Sequence, residues 1–269
     1  MTKEIQEKIA DAQMVLIGIG KEMEEKAHGM EQDPRYARLL AEAGEGEQGD
    51  VLKQYLKLSW LKEHPDERKK EAYEALAALL SGKNYFLVTL CTDDAIFGTG
   101  LDEGRIVAPC GGFRKLQCAN PQCPSLQKIS DGQEAGIFSD SSLWEKSLEQ
   151  LKQGASLSEI EFPRCPKCEN LLAFNQITTP GYLEEGYLPQ WKKYQKWLQG
   201  TLNHKLCILE LGAGMEYPSV IRFPFERIAF FNQKSELIRV HSRLYQMTAE
   251  LKDRGTPIQA DPVDFLLEE

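Results

Sequence analysis

Residues 14–20 read MVLIGIG, a compact apolar run that ends in two glycines separated by one residue. A run of this kind is typical of a strand that is buried on both faces and ends in a glycine turn. Similar runs occur at residues 85–90 (YFLVTL) and 205–211 (KLCILEL), and the second of these is also followed by a glycine turn, GAG at 212–214. Segments with apolar residues at helical spacing lie between these runs. The pattern predicts an α/β fold, a Rossmann-like parallel sheet flanked by helices, which binds ligands at the carboxyl ends of its strands.

Weaker patterns extend this alternation along the rest of the chain. Residues 21–81 carry apolar side chains at helical spacing. Further helices are predicted at residues 3–13, 142–153, 189–198, 242–254 and 262–268. Further short strands are predicted at residues 105–108, 226–232 and 256–260. The length fits one large domain, or one domain with a smaller insert.

The composition is that of an ordinary globular protein, since 42% of the 269 residues are hydrophobic and 27% are charged. The formal net charge is -9, and an acidic chain repels phosphate backbones, so we expect no general nucleic-acid binding. The apolar run that begins at Met14 is too short to span a bilayer, and the first residues carry acids rather than a long apolar core. We therefore expect a cytoplasmic protein without a membrane partner. The sequence does not indicate an oligomeric state.

Four of the seven cysteines form two closely spaced pairs. Cys118 and Cys123 are a C-x4-C pair, and Cys165 and Cys168 are a C-x2-C pair. In a reducing compartment such pairs indicate metal binding before disulfides, and each pair can hold one side of a tetrahedral zinc ion. The alternative is four buried or incidental thiols, but both pairs lie in a polar stretch with few apolar partners. We predict a structural zinc site, because four thiolates leave no open coordination position, and an insert over residues 124–164 that the metal holds at its base.

The two glycine turns are the first candidates for a ligand site. Glycine allows a backbone to approach a phosphate closely, and two such turns converge on one cleft if their strands are neighbours. A lone G-x-G is also a common shape for a turn after a strand, and the full G-x-G-x-x-G motif is absent. Asn232, at the end of the predicted strand 226–232, is a third candidate, either as a contact to a ribose or adenine or as a simple turn residue.

The order of these motifs resembles that of a sirtuin. It runs from a strand with a G-x-G turn through a helical stretch and a strand ending in T-x-x-x-D to a four-cysteine insert, a strand with a second glycine turn, and a strand ending in Asn. The resemblance covers most of the chain. It implies a Rossmann-like NAD-binding domain, here residues 1–112 and 172–269, with a small zinc-ribbon domain, here residues 113–171. It also implies NAD and zinc as cofactors.

The resemblance further implies which residues contact NAD. Residues 18–22 (GIGKE) lie where the family has Gly-Ala-Gly, a small residue and serine, and residues 89–93 (TLCTD) lie where it has Thr-Gln-Asn-Ile-Asp. Residues 212–214 stand for its Gly-Thr-Ser, and residues 231–232 for its Ile-Asn, whose asparagine faces the adenosine ribose. The implied cofactor-binding set, completed by an aspartate near the family's contact to adenine, is Gly18, Ile19, Gly20, Glu22, Thr89, Asp93, Gly212, Ala213, Gly214, Asn232 and Asp261.

The catalytic histidine of the family is replaced in this chain. Cys110-Gly111 lies where the family has His-Gly, and none of the four histidines is near this position in the sequence. Residues 209–228 (LELGAGMEYPSVIRFPFERI) are similar to the macrodomain-linked bacterial class of sirtuins, which also lacks the histidine and is described as transferring ADP-ribose to proteins. The resemblance therefore implies an ADP-ribosyltransferase with a protein substrate.

Two residues are the candidates for catalysis. Cys110 would act as a base or nucleophile if its thiol were activated, and otherwise it is a small apolar replacement for the histidine. Asp93, next to Asp94, would stabilise positive charge that develops at the nicotinamide ribose, although adjacent acids at a strand end are also common in loops. The same departures from the family leave two other functions open. These are a non-catalytic sensor or scaffold for NAD or ADP-ribose, and an NAD-dependent deacylase with an unusual base.

Overall fold

The computed structural model describes residues 3–128 and 141–268. Its main feature is a parallel sheet of six strands in the order β3-β2-β1-β7-β8-β9, here called the large sheet, and a three-stranded antiparallel sheet in the order β5-β4-β6, the small sheet, lies beside it. The strands are β1 (Met14–Ile19), β2 (Asn84–Thr89), β3 (Ile106–Val107), β4 (Gly111–Cys118), β5 (Leu126–Lys128), β6 (Leu172–Gln176), β7 (Leu206–Leu211), β8 (Ser235–Val240) and β9 (Gly255–Ile258). The large sheet steps outward in both directions from β1 and β7, which is the doubly wound order that the sequence predicts.

The two central strands account for the continuous apolar runs in the sequence. Every residue of β1 and of β7 is buried, and Ile17 pairs with Leu87 on one side and with Leu209 on the other. A strand that is covered on both faces has no polar face, so its side chains do not alternate between polar and apolar. The predicted strands at residues 14–17, 85–90 and 205–211 are confirmed.

Eight α-helices flank the sheets within residues 3–128 and 141–268. They are α1 (Lys3–Asp11), α2 (Pro34–Ala43), α3 (Glu47–Glu63), α4 (Glu67–Leu79), α5 (Ser141–Lys152), α6 (Leu188–Gln199), α7 (Arg222–Phe231) and α8 (Pro262–Leu267). Helices α2, α4 and α8 each follow an aspartate whose carboxylate accepts a hydrogen bond from a main-chain amide of the first turn. The helices predicted at residues 3–13, 142–153, 189–198 and 262–268 are confirmed. No helix in the described part of the chain is long and apolar enough to cross a membrane.

Two predicted elements are wrong. Residues 226–232, predicted as a strand, belong to α7 and its C-terminal end, and the true strand is β8. The aromatic run in α7 suits a strand as well as a helix, whereas β8 reads SELIRV, in which Glu236 and Arg239 interrupt the apolar pattern. Residues 242–254, predicted as a helix, contain only the short 3-10 turn Ala249–Leu251. Asn232 therefore ends a helix rather than a strand.

Helices α2 and α3 share a hydrophobic core with the small sheet. The core joins Leu39 of α2 and Tyr55 of α3 to Leu116 and Phe174 of the small sheet, and the Tyr55 hydroxyl donates to the Leu172 carbonyl at 2.6 Å. We call α2, α3, α5 and the small sheet the small module. The division into one domain of residues 1–112 and 172–269 and another of residues 113–171 stays a prediction. It places α2 and α3 in the first domain, although they share a core with Leu116 of the second.

Candidate functional site

The carboxyl ends of the large-sheet strands bring the two glycine turns together. The amide of Gly20 donates to the Leu211 carbonyl at 2.8 Å, and the amide of Gly212 donates to the Val240 carbonyl at 2.8 Å. A side chain at Gly20 would collide with the backbone of Gly212, and Gly212 has a φ of 66°, which favours glycine. Both glycines are therefore required by this close approach of the turns after β1 and β7.

The other members of these turns have different roles. Ile19 is fully buried in the core, so only its main chain can reach a ligand. A Cβ at Gly18 would lie 2.6 Å from Ile221, which shows that Gly18 allows α7 and the segment before it to pack on the sheet. A Cβ at Gly214 would lie 3.2 Å from the Nε2 atom of His241, so the turn after β7 also approaches the end of β8.

The end of β8 carries His241 and Ser242, which sequence analysis missed. Glu22, from the turn after β1, accepts hydrogen bonds from the amide of Ser242 at 3.1 Å and from its hydroxyl. The Nδ1 atom of His241 lies 3.0 Å from the carboxylate of Glu22. Burial and three nearby arginines lower the pKa of His241 against the opposing effect of Glu22. Correct placement of β8 would have identified both residues, since they occupy the strand end that the sequence reading assigned to Asn232.

Asn232 lies at the opposite end of the large sheet, near the amino ends of the strands. Its side-chain amide donates to the carbonyls of Thr201 and His204, both at 3.1 Å, and these residues precede β7. The placement of Asn232 among the cofactor-binding residues is therefore corrected. Its side chain holds the loop before β7 at the amino ends of the strands. Asp261 does lie beyond the end of β9, where its carboxylate accepts hydrogen bonds from Val263 and Asp264 at the start of α8.

The end of β2 is fixed to the turn after β1. The hydroxyl of Thr89 accepts a hydrogen bond from the amide of Cys91 at 3.1 Å, and the thiol of Cys91 donates to the Gly20 carbonyl at 3.3 Å. Asp93 is buried, and its carboxylate accepts hydrogen bonds from the amides of Ala95, at 3.0 Å, and Glu25. Burial raises the pKa of Asp93. Both carboxylate oxygens of Asp93 thus hold the main chain around the cleft.

A second acid, Glu24, lies in this part of the cleft and was also missed. Its carboxylate accepts hydrogen bonds from the hydroxyl of Thr92 at 2.5 Å and from the ammonium of Lys21 at 2.9 Å. Burial opposes ionisation of Glu24, but the contacts with Thr92 and Lys21 outweigh it and lower its pKa. Glu24 is therefore ionised at neutral pH. Only the acidic run after the glycine turn, EMEE at residues 22–25, could have pointed to it.

Cys110 is buried in the turn between β3 and β4, with 1% of its surface exposed. Burial raises the pKa of its thiol to about 11, although the nearby Lys21 ammonium opposes this shift. The thiol is therefore neutral at neutral pH and is neither a thiolate nucleophile nor a base. Glu24 and Tyr217 are close enough to interact electrostatically with it. These residues and Lys21 form what we call the Cys110 end of the cleft.

The histidines are placed elsewhere. His241 follows β8, His204 lies at the amino edge of the sheet, and His64 stacks on Trp60 of α3. His28 is exposed in the segment before α2. Within residues 3–128 and 141–268, no histidine ring hydrogen-bonds the thiol of Cys110. The position of the family's catalytic base thus has no histidine from another part of the described chain.

The four predicted metal ligands converge at one end of the small module. The sulfur atoms of Cys118 and Cys168 are 3.3 Å apart, those of Cys123 and Cys165 are 3.8 Å apart, and all four lie within 4.8 Å of one another. A tetrahedral zinc ion with Zn–S bonds of about 2.3 Å requires sulfur–sulfur distances of about 3.8 Å. The arrangement fits such an ion, and the sulfurs are too far apart for disulfides. It is the only such cluster of Cys, His, Asp and Glu in the described residues.

The main chain supports the cluster on both sides. The amide of Cys165 donates to the Asn170 carbonyl at 2.7 Å, and the amide of Glu169 donates to the Cys165 carbonyl at 2.8 Å, which forms a tight turn around the C-x2-C pair. The amide of Asn120 donates to the sulfur of Cys118 at 3.4 Å. Amide donors to sulfur favour thiolates, as expected for zinc ligands. Part of the predicted insert, residues 129–140, lies outside the described residues.

Comparisons with known proteins give a consistent result, although no family model matches the chain. The chain is 23% identical over 198 residues to a protein ADP-ribosyltransferase of Staphylococcus aureus (strain Mu50 / ATCC 700699), and this match spans 73% of the chain and 59% of that protein. It is 25% identical over 192 residues to a probable bifunctional ADP-ribose hydrolase/ADP-ribosyltransferase of Fusarium oxysporum f. sp. cubense, with 67% of the chain and 30% of that protein covered. Both relatives are thus considerably longer than the part that this chain matches.

Solved structures of sirtuins share the fold over nearly the whole chain. A Sir2 enzyme superposes with a TM-score of 0.55 at 16% identity, covering 98% of this chain and 92% of that one. A Sir2 homologue in complex with NAD superposes with a TM-score of 0.53 at 14% identity, covering 99% and 91%. The six-stranded sheet, the four-cysteine cluster and these similarities agree, and the chain has the fold of the solved sirtuin structures.

Proposed function

We propose that this chain transfers ADP-ribose from NAD to a protein acceptor and releases nicotinamide. Three observations support the proposal. The Staphylococcus aureus relative is a protein ADP-ribosyltransferase, a solved relative in fold binds NAD, and the carboxyl ends of the large-sheet strands carry two glycine turns in close contact. Open α/β sheets bind nucleotides in a cleft at this end of their strands.

The turns after β1 and β7 are our candidates for the pyrophosphate contact. The amides of Gly20 and Gly212 already donate to the Leu211 and Val240 carbonyls, so the main chain that follows each glycine would supply the donors to phosphate oxygens. Ile19, Ala213 and Gly214 contribute main chain to the same turns. His241 and Ser242, at the end of β8, replace Asn232 as candidates for the adenosine ribose.

The remaining predicted contacts keep supporting roles in the proposal. Thr89 and Asp93 hold the end of β2, and Gly18 allows close packing of α7. Glu22 ties the turn after β1 to the end of β8, and Asp261 begins α8 beyond β9. None of these side chains needs to touch NAD in order to shape the cleft.

The replacement of the histidine by a neutral, buried cysteine is the observation that favours ADP-ribosyl transfer over deacylation. A sirtuin deacylase needs a base to activate a ribose hydroxyl after nicotinamide leaves. With its pKa raised to about 11, the Cys110 thiol does not accept a proton at neutral pH. Transfer to a protein nucleophile does not require activation of the ribose hydroxyl, so the loss of the histidine leaves this reaction intact.

The chemistry at the Cys110 end of the cleft is a substitution at the ribose C1′ atom. The bond from C1′ to nicotinamide breaks and its electron pair leaves with nicotinamide, while the acceptor forms a new bond to C1′ and releases a proton. The carboxylate of Glu24, ionised at neutral pH, would stabilise the positive charge that develops at the ribose, a role that sequence analysis gave to Asp93. The buried Asp93 would keep the segment that carries Glu24 in place through its bond from the Glu25 amide.

The four-cysteine cluster fits zinc in a structural role. Zinc would hold the C-x4-C and C-x2-C turns together at the end of the small module, away from the strand ends that carry the chemistry. We also propose a cytoplasmic location, because free thiols in such a cluster need a reducing compartment.

The proposal is tested in two steps. Titration calorimetry with NAD up to millimolar concentration measures binding, and chromatography then measures nicotinamide release in the presence of candidate acceptor proteins. Mass spectrometry of the acceptors identifies attached ADP-ribose, and an acetylated peptide in a parallel reaction tests for deacylation. Absence of NAD binding would overturn the proposal. Binding without nicotinamide release would favour the non-catalytic sensor, and NAD-dependent loss of acetyl groups would favour the deacylase.

A further inference from the structure

A group of four charged side chains, three of them buried and one partly exposed, lies beneath the turn after β7. Glu210 of β7 and Arg239 of β8 are fully buried, and Glu226 and Arg222 of α7 lie next to them. Arg239 donates to the carboxylate of Glu210 at 2.5 Å, and its guanidinium lies 2.8 Å from the carboxylate of Glu226. We call these residues the buried charge group. Its two cations and two anions balance between the large sheet and α7.

Stability alone is a weak reason for such a group. Removing two charges from water costs several kcal/mol per ion, and well-packed hydrophobic residues of similar size are often equally or more stabilising. The neighbouring side chains of α7, such as Phe225, are already hydrophobic and buried. The contacts that the group makes with the surrounding main chain therefore indicate its role.

The group contacts two segments at the carboxyl ends of the large-sheet strands, one after β7 and one after β8. Arg222 donates to the carbonyl of Ala213 at 2.9 Å, in the turn after β7. Arg239 donates to the carbonyl of Gln246 at 2.8 Å, and Arg222 approaches the same carbonyl at 3.5 Å, in the segment after β8. Arg222 is thus the residue that contacts both segments directly, and Arg239 reinforces the second contact.

Arg222 makes its hydrogen bonds to main-chain carbonyls, unlike Arg239, which also binds carboxylates. Burial and the neighbouring Arg239 guanidinium lower the pKa of Arg222, and Glu210 and Glu226 oppose this effect. The two carboxylates therefore permit a second buried arginine, Arg222, beside Arg239. Arg222 donates its hydrogen bonds to main-chain carbonyls of the two segments. Both segments flank the place where the adenosine half of NAD would lie.

We propose that Arg222 is a positioning residue that fixes the turn after β7 to the segment after β8, so that both segments present one conformation to the adenosine half of the nucleotide. This inference rests on the proposed function for the identity of the nucleotide. Without Arg222, Arg239 would still hold the Gln246 carbonyl, but no side chain of the buried charge group would join the two segments, and the nucleotide would have to order them relative to each other on binding. Affinity would fall, whereas the reacting ribose at the Cys110 end would be unaffected.

The test compares Arg222→Met with Arg222→Lys. Methionine keeps the apolar length of the side chain and removes its donors, and lysine restores one charged donor. We expect Arg222→Met to bind NAD and ADP-ribose about tenfold more weakly by titration calorimetry, which corresponds to about 1.4 kcal/mol. The KM for NAD should rise by the same factor while kcat stays within about twofold, and Arg222→Lys should recover part of the affinity.

Arg254, which immediately precedes β9, provides a matched control that contacts the same helix. Its guanidinium donates to the carbonyls of Ala229, at 2.6 Å, and Asn232, at 2.9 Å, at the other end of α7 and the amino edge of the sheet. Arg254→Met therefore removes an arginine-to-carbonyl contact without touching the segments at the cleft. We expect it to lower Tm and to leave the affinity for NAD unchanged within about twofold.

Hydrogen exchange separates this inference from the proposed function. In the protein without ligand, the amides of residues 243–248 should exchange faster in Arg222→Met or Arg222→Lys than in the unchanged protein, and Arg254→Met should not show this effect. Equal exchange in these residues would overturn the positioning role, as would equal losses of affinity in Arg222→Met and Arg254→Met. If the unchanged protein does not bind NAD, the proposed function fails, and the exchange result still decides whether Arg222 fixes the two segments.

Discussion

The large sheet and the small module are stabilised in different ways. The central strands of the large sheet are buried throughout and, apart from Glu210 of β7, carry apolar side chains or glycine, so hydrophobic burial holds them. The small module packs three helices on a three-stranded sheet and has four thiols at one end, two of them only partly buried. The difference indicates that close packing stabilises the large sheet, whereas the small module has a cluster that could hold a metal ion, and the proposed chemistry lies at the large sheet.

The strongest test of this comparison is removal of a zinc ligand. We expect Cys165→Ser to lose most of its bound zinc and to destabilise the small module by more than about 3 kcal/mol, because the energy of metal binding is part of the folding energy. Atomic absorption measures the metal, and urea unfolding followed by tryptophan fluorescence measures stability. Trp60 of α3 reports on the small module.

Cys207→Ser is the matched control for this variant. Cys207 is buried in β7, away from the four-cysteine cluster, and the substitution places a hydroxyl in the hydrophobic sheet. We expect a loss of about 1–2 kcal/mol with unchanged zinc content. Equal zinc content in Cys165→Ser and Cys207→Ser would contradict the metal site.

The next largest effect is expected at the contact between the two glycine turns. A methyl group at position 20 would collide with the Gly212 backbone, which cannot move without disturbing β7. We expect Gly20→Ala to lose about 3 kcal/mol of stability and to abolish NAD binding. Gly200→Ala, at the end of α6, is the control. Its added carbon would lie 3.2 Å from the Trp197 carbonyl, a much milder contact than the collision of position 20 with the Gly212 carbonyl. A Gly20→Ala variant that is as stable as Gly200→Ala would show that the turns are not in close contact.

Glu24 tests whether the large sheet carries the chemistry. We expect Glu24→Gln to slow nicotinamide release by about 100-fold, since the amide cannot balance the charge that develops at the ribose, while zinc content and NAD affinity change little. Glu25→Gln is the control, because the Glu25 side chain accepts a hydrogen bond from the Asp66 amide instead of Thr92. Single-turnover measurements of nicotinamide release compare the two variants. Equal rates would remove Glu24 from the proposed mechanism.

The features that the sequence predicted correctly depend on local patterns. Continuous apolar runs identify β1, β2 and β7 because strands covered on both faces need them, and cysteine spacing identifies the four cysteines that cluster because each pair must form one turn. The sequence also predicted that the turns of Gly20 and Gly212 meet if their strands are neighbours, and β1 does pair with β7.

The features that it missed depend on contacts between distant residues. In β8, the charge of Arg239 is balanced by Glu210 of the neighbouring strand, so a strand that is buried except at Glu236 reads as a polar segment. Because β8 was not recognised, the strand was predicted on α7 instead, and Asn232 was placed at the carboxyl ends of the strands rather than at their amino ends. The role of Glu24 was hidden for the same reason, since its ionisation depends on Thr92, which is 68 positions away in the chain.

Asp94 joins the two regions and is expected to give the smallest effect. It has a φ of 60°, lies just after β2, and accepts a hydrogen bond from the Phe113 amide of the small sheet at 2.5 Å. Burial raises the pKa of its carboxyl from 3.8 to about 7. Between these values the folded chain keeps a proton that the unfolded chain has released, so this group makes the fold less stable as pH rises from about 4 to about 7.

Asp94→Asn removes that pH dependence and keeps an oxygen that accepts the Phe113 amide. We expect the variant to match the unchanged protein near pH 5 and to be more stable by about 1–2 kcal/mol at pH 8, which is less than the full shift would give because the side chain retains some contact with water. Urea unfolding at pH 5, 6, 7 and 8 measures both proteins. Parallel stability profiles would mean that the Asp94 carboxyl is ionised throughout this range. The junction would then hold a charged rather than a neutral acid, and the large sheet and the small module would be joined equally firmly at every pH.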